Sequence, residues 1–137
     1  MSVRVAHAAG PRGGNRAGRS PIPGHLDWDR SRGERPADIA ISAIVAHELF
    51  YGAFTSRRAA HNVALVDGLQ FVVLEFDKED ARQAGEVRAL LASRGTAIGP
   101  YDVLIAGQAK ARNLTLVTHN TDEFGRVPGL RCDDWQA

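Results

Sequence analysis

From residue 38 onward the chain alternates short apolar runs with longer segments whose apolar residues recur every three or four positions, and few folds accommodate that alternation. Residues 38–42 (DIAIS) predict a strand, and Ser42 is placed to cap a helix running to about residue 54. Residues 57–69 predict a second helix, with Ala60, Val63, Ala64, Val66 and Leu69 at helical spacing. Residues 71–76 (FVVLEF) form the plainest strand signal, rich in β-branched and aromatic side chains. Asp77 then caps a helix to about residue 93, with Asp80 in a capping-box position and Gly95 at a fitting stop. Gly99 and Pro100 open a third long helix ending near residue 113, and residues 114–118 predict the last clear strand before a short closing stretch. Strands separated by helices of this length predict an α/β fold with a mostly parallel sheet.

The first 36 residues behave differently. Six glycines and four prolines lie among seven arginines there, with no sustained helical or strand period, so residues 1–36 are expected to be irregular and residues 37–137 to form one domain. Against those arginines stand only Asp27, Asp29 and Glu34, a surplus of four positive charges. Because the whole chain carries +1, residues 37–137 carry −3. A slightly acidic body is not the broad basic surface of a general nucleic-acid binder, so any RNA contact must be local or assisted by a cation. The arginine-rich segment itself reads as a solvated tail. No apolar stretch approaches the roughly 20 residues of a membrane span, and no secretory leader is discernible near residue 1. The lone Cys132 excludes an internal disulfide and suits a reducing cytoplasm.

Carboxylates at apolar positions are the candidate chemistry. On a helix, Glu48 shares the face of Ile44 and Val45, where an ionised group needs a partner: a cation, or an arginine at the domain edge. Asp102 falls in the first turn of its helix, where it also stabilises the positive end of the helix dipole, yet it shares a stripe with Ile105, Ala106 and Ala109. Thr118 and Asn120 follow an apolar strand, the place where open α/β sheets hold ligands, although Asn120 also suits a turn cap. Asp122 and Glu123 come next, and periodicity does not separate a site acid from a solvated one. The five histidines lack zinc-hydrolase spacing, and the glycines of residues 10–18 lack the ending of a phosphate loop.

Taken in order, ISAIVAHELFYGA around Glu48, LEFD at residues 74–77, IGPYDVLIAGQA around Asp102 and LVTHNTDEFGRVPGLRCDDW at residues 116–135 resemble PIN-domain toxins of the VapC type. The resemblance spans residues 37–137 and implies a three-layer α/β/α fold with a mostly parallel sheet. It further implies a cytoplasmic, Mg²⁺- or Mn²⁺-dependent endoribonuclease, usually homodimeric and restrained by a cognate antitoxin. It makes Glu48 and Asp102 the second and third acids of the metal site, with Glu123 a further acid and Thr118 and Asn120 orienting water or phosphate. These toxins begin with an apolar strand ending in Asp-Thr, whereas residues 6–15 here read AHAAGPRGGN. The first strand is therefore expected to be missing or altered and the nuclease impaired. The alternative from another class is a catalytically inactive module that binds antitoxin or dimerises, with Leu49, Phe50, Tyr51 and Phe54 as its surface.

Overall fold

The computed structural model describes residues 4–6 and 39–134. Five strands make one sheet: β1 (Arg4–Ala6), β2 (Ile39–Ser42), β3 (Val72–Leu74), β4 (Thr115–Val117) and β5 (Cys132–Asp133). Their order is β3-β2-β1-β4-β5, and every pairing is parallel. Helices α1 (Ala43–Phe54) and α2 (Ala59–Asp67) lie between β2 and β3 in the chain. Helices α3 (Lys78–Ser93) and α4 (Pro100–Ala111) join β3 to β4, and the short α5 (Thr121–Phe124) precedes β5.

The chain leaves β1 toward β2 and β3, then crosses back to lay down β4 and β5 on the other side. Crossovers between parallel strands are right-handed almost without exception, so these opposite directions of travel put the two helix pairs on opposite faces. Three layers result. The reversal falls between β1 and β4, and a ligand crevice in an open α/β sheet forms at the carboxyl ends of such a pair.

One expectation is corrected in part. The first strand is not missing: Arg4–Ala6 pairs with Ile39–Ile41 on one side and with Thr115–Val117 on the other, so it is central, while the sequence after it is altered, His7 and Ala8 standing where Asp-Thr was expected. Three residues are too short to show a period, and they are held by the backbone partners that β2 and β4 supply. Ala6 is buried, as are all four residues of β2, the continuous burial expected where helices cover both faces. The strand that the sequence marks most plainly is instead an edge strand, with Val72 and Val73 about half exposed. Of residues 1–36, expected to be irregular, only Arg4–Ala6 are described, and they form β1; the rest and the boundary at residue 37 lie outside the described residues.

The helices follow their local signals. Ser42 Oγ accepts the Ile44 N–H at 3.1 Å to start α1. Asp77 and Asp80 form a reciprocal capping box at α3, worth about 1 kcal/mol at such positions. Gly95 takes a left-handed φ of 66° just past the end of α3, where a Cβ would be strained.

Helix α4 is fixed to α3 in two ways. A Cβ placed on Gly107 would lie 2.4 Å from the Ala84 Cα, so the two backbones approach to a distance that only glycine allows. Near one end of this contact, Asp80 is 1% exposed and accepts from Arg112 Nη2 at 3.0 Å, Arg112 Nε at 3.3 Å and Gln108 Nε2 at 3.1 Å. Arg112 and Gln108 also donate to the Glu75 carbonyl, tying the end of β3 into the same cluster. Burial opposes ionisation of Asp80, but hydrogen bonds from Arg112, the Asp77 backbone and Gln108 outweigh it and hold the carboxyl below its ordinary range.

A folded-state pKa below the unfolded value of about 3.9 gives stability that is present above that pH and lost as pH falls through the folded pKa. Asp80→Asn is therefore expected to cost about 3 kcal/mol at neutral pH, the lower end for breaking a buried pair because Arg112 is partly exposed. Urea midpoints should also show a shallower loss of stability below about pH 4 in the variant than in the wild type.

Candidate functional site

Helix α4 begins without a side-chain cap of its own, because Gly99 is its N-cap residue and Pro100 opens the first turn. The orphan amide is satisfied from far along the chain: Glu123 Oε1 accepts the Gly99 N–H at 2.8 Å. Asp102, in the same first turn, folds back toward the same place. A Cβ on Gly99 would sit 3.0 Å from Asp102 Oδ2 and 3.7 Å from Glu123 Oε1. Two carboxylates from separate elements thus close on one glycine, beside the positive end of a helix dipole that favours negative charge.

Glu123 is held from behind. Its neighbour Phe124 is fully buried, the largest such side chain among the described residues, and anchors α5 in the core. Asn120 occupies the N-cap position of α5 but makes no side-chain cap bond there; its amide instead donates to Glu123 Oε2. Asn120 in turn donates its backbone N–H to Thr118 Oγ1 at 3.0 Å, and the Thr118 N–H donates to the Asp133 carbonyl at 2.9 Å. Thr118 is completely buried at the end of β4, so the carboxyl edge of the sheet, the turn and Glu123 form one connected series. Asp122, its companion in sequence, is exposed.

Glu48 approaches from the other helix pair. It is half-buried on α1, beside the buried Leu49, and the preceding His47 has its ring 5.6 Å from that of Tyr101. Since Tyr101 immediately precedes Asp102, this contact brings the segments that carry Glu48 and Asp102 alongside each other. Among the described residues, no group of three or more His, Cys, Asp or Glu is arranged to hold a metal ion. Asp102 and Glu123 both reach Gly99, and Glu48 lies on the helix whose His47 ring meets that of Tyr101. All three offer oxygen donors, and a hard cation such as Mg²⁺ takes only one or two protein carboxylates with water completing its shell, so the donor chemistry fits. In the sequence, β1 is followed by His7, Ala8 and Ala9, which bring no carboxylate.

Other nucleophiles and ligands are accounted for differently. Burial pushes the Cys132 thiol above its ordinary range, which disfavours the reactive thiolate. His119 Nδ1 lies 3.6 Å from Asp134 Oδ1, linking the segments after β4 and β5. The Gly99–Glu123 bond was beyond sequence reasoning, since its partners lie 24 positions apart and no local pattern joins them. The only signal was the spacing of Asn120 and Glu123, which the resemblance picked out.

The doubly wound parallel sheet agrees with a PIN fold, and residues 23–130 match the model of the PIN domain: the chain belongs to the PIN domain family. Its relatives within that family are VapC ribonucleases. It is 46% identical over 99 residues to the tRNA(fMet)-specific endonuclease VapC of Salmonella typhimurium, covering 71% of this chain and 75% of that protein. It is 39% identical over the same length to ribonuclease VapC2 of Rickettsia felis, covering 71% and 74%. Among solved structures, DNA-bound VapBC from Salmonella typhimurium superposes with a TM-score of 0.75 at 33% identity, covering 98% of this chain and 99% of that one. VapBC2 of Rickettsia felis bound to a promoter DNA fragment gives a TM-score of 0.68 at 39% identity, covering 71% and 74%.

Gly99→Ala isolates the geometry of the acid pair without removing either carboxylate. At 3.0 Å the Asp102 carboxylate has to give by a few tenths of an ångström, which a short side chain can do. The thermal midpoint is expected to stay within about 5 °C of wild type. Mn²⁺ affinity, measured by calorimetry on the full chain, should fall about tenfold, the usual size of an effect that disturbs ligand placement.

Proposed function

We propose that this chain is the toxin of a VapBC-type toxin–antitoxin pair: a cytoplasmic, Mg²⁺- or Mn²⁺-dependent endoribonuclease that hydrolyses RNA phosphodiester bonds and is held in check by a cognate antitoxin, working as a homodimer. The convergence of Asp102 and Glu123 on Gly99, in a chain of this family, is the observation that carries the reading. In it, Asp102 and Glu123 hold the cation, and Glu48 joins them directly or through water. When bound, a divalent cation supplies Lewis acidity, acidifying water and offsetting charge on the scissile phosphate.

The chain's own residues divide the remaining work. Glu48 takes a proton from the attacking water at its carboxylate, which its half-buried place on α1 leaves within reach of solvent. Asn120 acts through Glu123, since its amide nitrogen donates to the Glu123 carboxylate; this supports a positioning role over direct contact with phosphate. Thr118 stands one step further back, accepting the Asn120 N–H from a fully buried position. After β1 the sequence reads His7 and Ala8 where the family's first strand ends in Asp-Thr, which supports a weakened metal site and an impaired nuclease.

A second reading has its own support. Tyr51 is 57% and Phe54 66% exposed on α1, and Leu65 on α2 is also exposed, so the α1–α2 pair offers an apolar surface to an antitoxin or a second subunit. Leu49, by contrast, is buried and belongs to the core. Copurification with a small partner protein in the absence of any nuclease activity would favour an inactive binding module.

With labelled RNA and Mg²⁺, the full chain is expected to cleave slowly, and Asp102→Asn to remove the remaining activity. Asn120→Ala should lower activity about tenfold, in line with loss of a group that orients a ligand. His7→Asp, which places a carboxylate after β1 in the sequence, should raise both cleavage and Mn²⁺ affinity. Robust cleavage by the unaltered chain that Asp102→Asn abolishes would overturn the impairment, and cleavage indifferent to chelation and to Asp102→Asn would overturn the assigned site.

A further inference from the structure

Tyr101 and His47 have no role in the acid site itself, yet they stand at its side. Tyr101 is 50% exposed in the first turn of α4, and its ring meets that of His47 at 5.6 Å between centroids, tilted by 53°. Each ring belongs to the residue immediately before an acid, His47 before Glu48 and Tyr101 before Asp102. The Tyr101 ring packs on one side against His47 and leaves half of the residue open to solvent. An exposed aromatic beside a reaction centre has little to gain from water and offers a face to a flat partner.

We propose that Tyr101, steadied by His47, is the stacking platform for a nucleobase of single-stranded RNA next to the scissile phosphate. The proposal rests on the ribonuclease reading and deepens it. Its second support is charge: residues 37–137 carry −3 while the surplus of four positive charges lies in residues 1–36, so a contact from the body that does not depend on net charge adds to what the arginine-rich segment and a cation supply. Stacking of one base on an aromatic side chain supplies about 1 to 3 kcal/mol, is tolerant of base identity, and orders only a side chain with two torsions. Tyr101 and Asp102 both belong to the first turn of α4, so a base seated on Tyr101 keeps its strand at the end of the helix where Asp102 lies.

The test uses the full chain and a single-stranded oligoribonucleotide carrying 2-aminopurine, in Ca²⁺ in place of Mg²⁺ so that binding is read apart from turnover. The wild type is expected to bind and quench the fluorescent base. Tyr101→Ala and Tyr101→Leu should each lose the quenching and weaken binding about tenfold, the change that roughly 1.4 kcal/mol makes. Tyr101→Phe should retain both, and the slope of affinity against salt should be alike in all four proteins, since no charge is removed. Unchanged affinity and quenching in the Ala and Leu variants, or equal damage from Tyr101→Phe, would overturn the platform while leaving the ribonuclease reading intact. Failure of the wild type to bind RNA would overturn both. Loss of a copurifying protein partner with RNA binding unaltered would also overturn it, assigning the ring to a protein contact.

Discussion

Everything at the candidate site depends on where the first turn of α4 lies, and that is set by the seam between α3 and α4. Gly107 lets the helices meet backbone to backbone at Ala84, and dispersion at such short range falls off steeply if either helix shifts. The buried Asp80 with Arg112 and Gln108 then fixes the register along the seam, because a displaced helix would leave a carboxylate stranded in the core. Asp102 sits on the same rigid helix, so its position follows from contacts well away from the acid pair.

The acid pair solves two problems with one set of atoms. Glu123 satisfies the amide at the start of α4, a backbone requirement of any helix, and in doing so sets its carboxylate beside that of Asp102. The helix dipole and the donors from Gly99 and Asn120 favour a negative charge at Glu123. Capping and the proposed cation binding are therefore not rival accounts of these residues, since one geometry is compatible with both.

Most of the elements were legible in the sequence because their signals are local. Ser42, Asp77 with Asp80, Gly95, and Gly99 with Pro100 mark helix ends through bonds or backbone angles confined to a few residues. The first strand was not legible: Arg4–Ala6 is only three residues long and lies in the centre of the sheet through pairing with strands more than 30 and 100 positions away. The plainest strand, around Val72 and Val73, proved to be the exposed edge, since β-branched composition reports propensity and says nothing about rank in a sheet.

By itself the sequence determined the alternation of strands and helices, the inward stripe that carries Asp102, and the resemblance that singled out Glu48, Asp102, Thr118, Asn120 and Glu123 for the site. The tertiary structure alone decided which of these meet. It joined Glu123 to the start of α4, turned Asn120 from a cap into a support for Glu123, and set His47 against Tyr101. The physical reason is one of range: caps and periodicity act over a few residues and are written locally, whereas a site at a sheet's switch point is assembled from segments whose contacts only the packed fold defines.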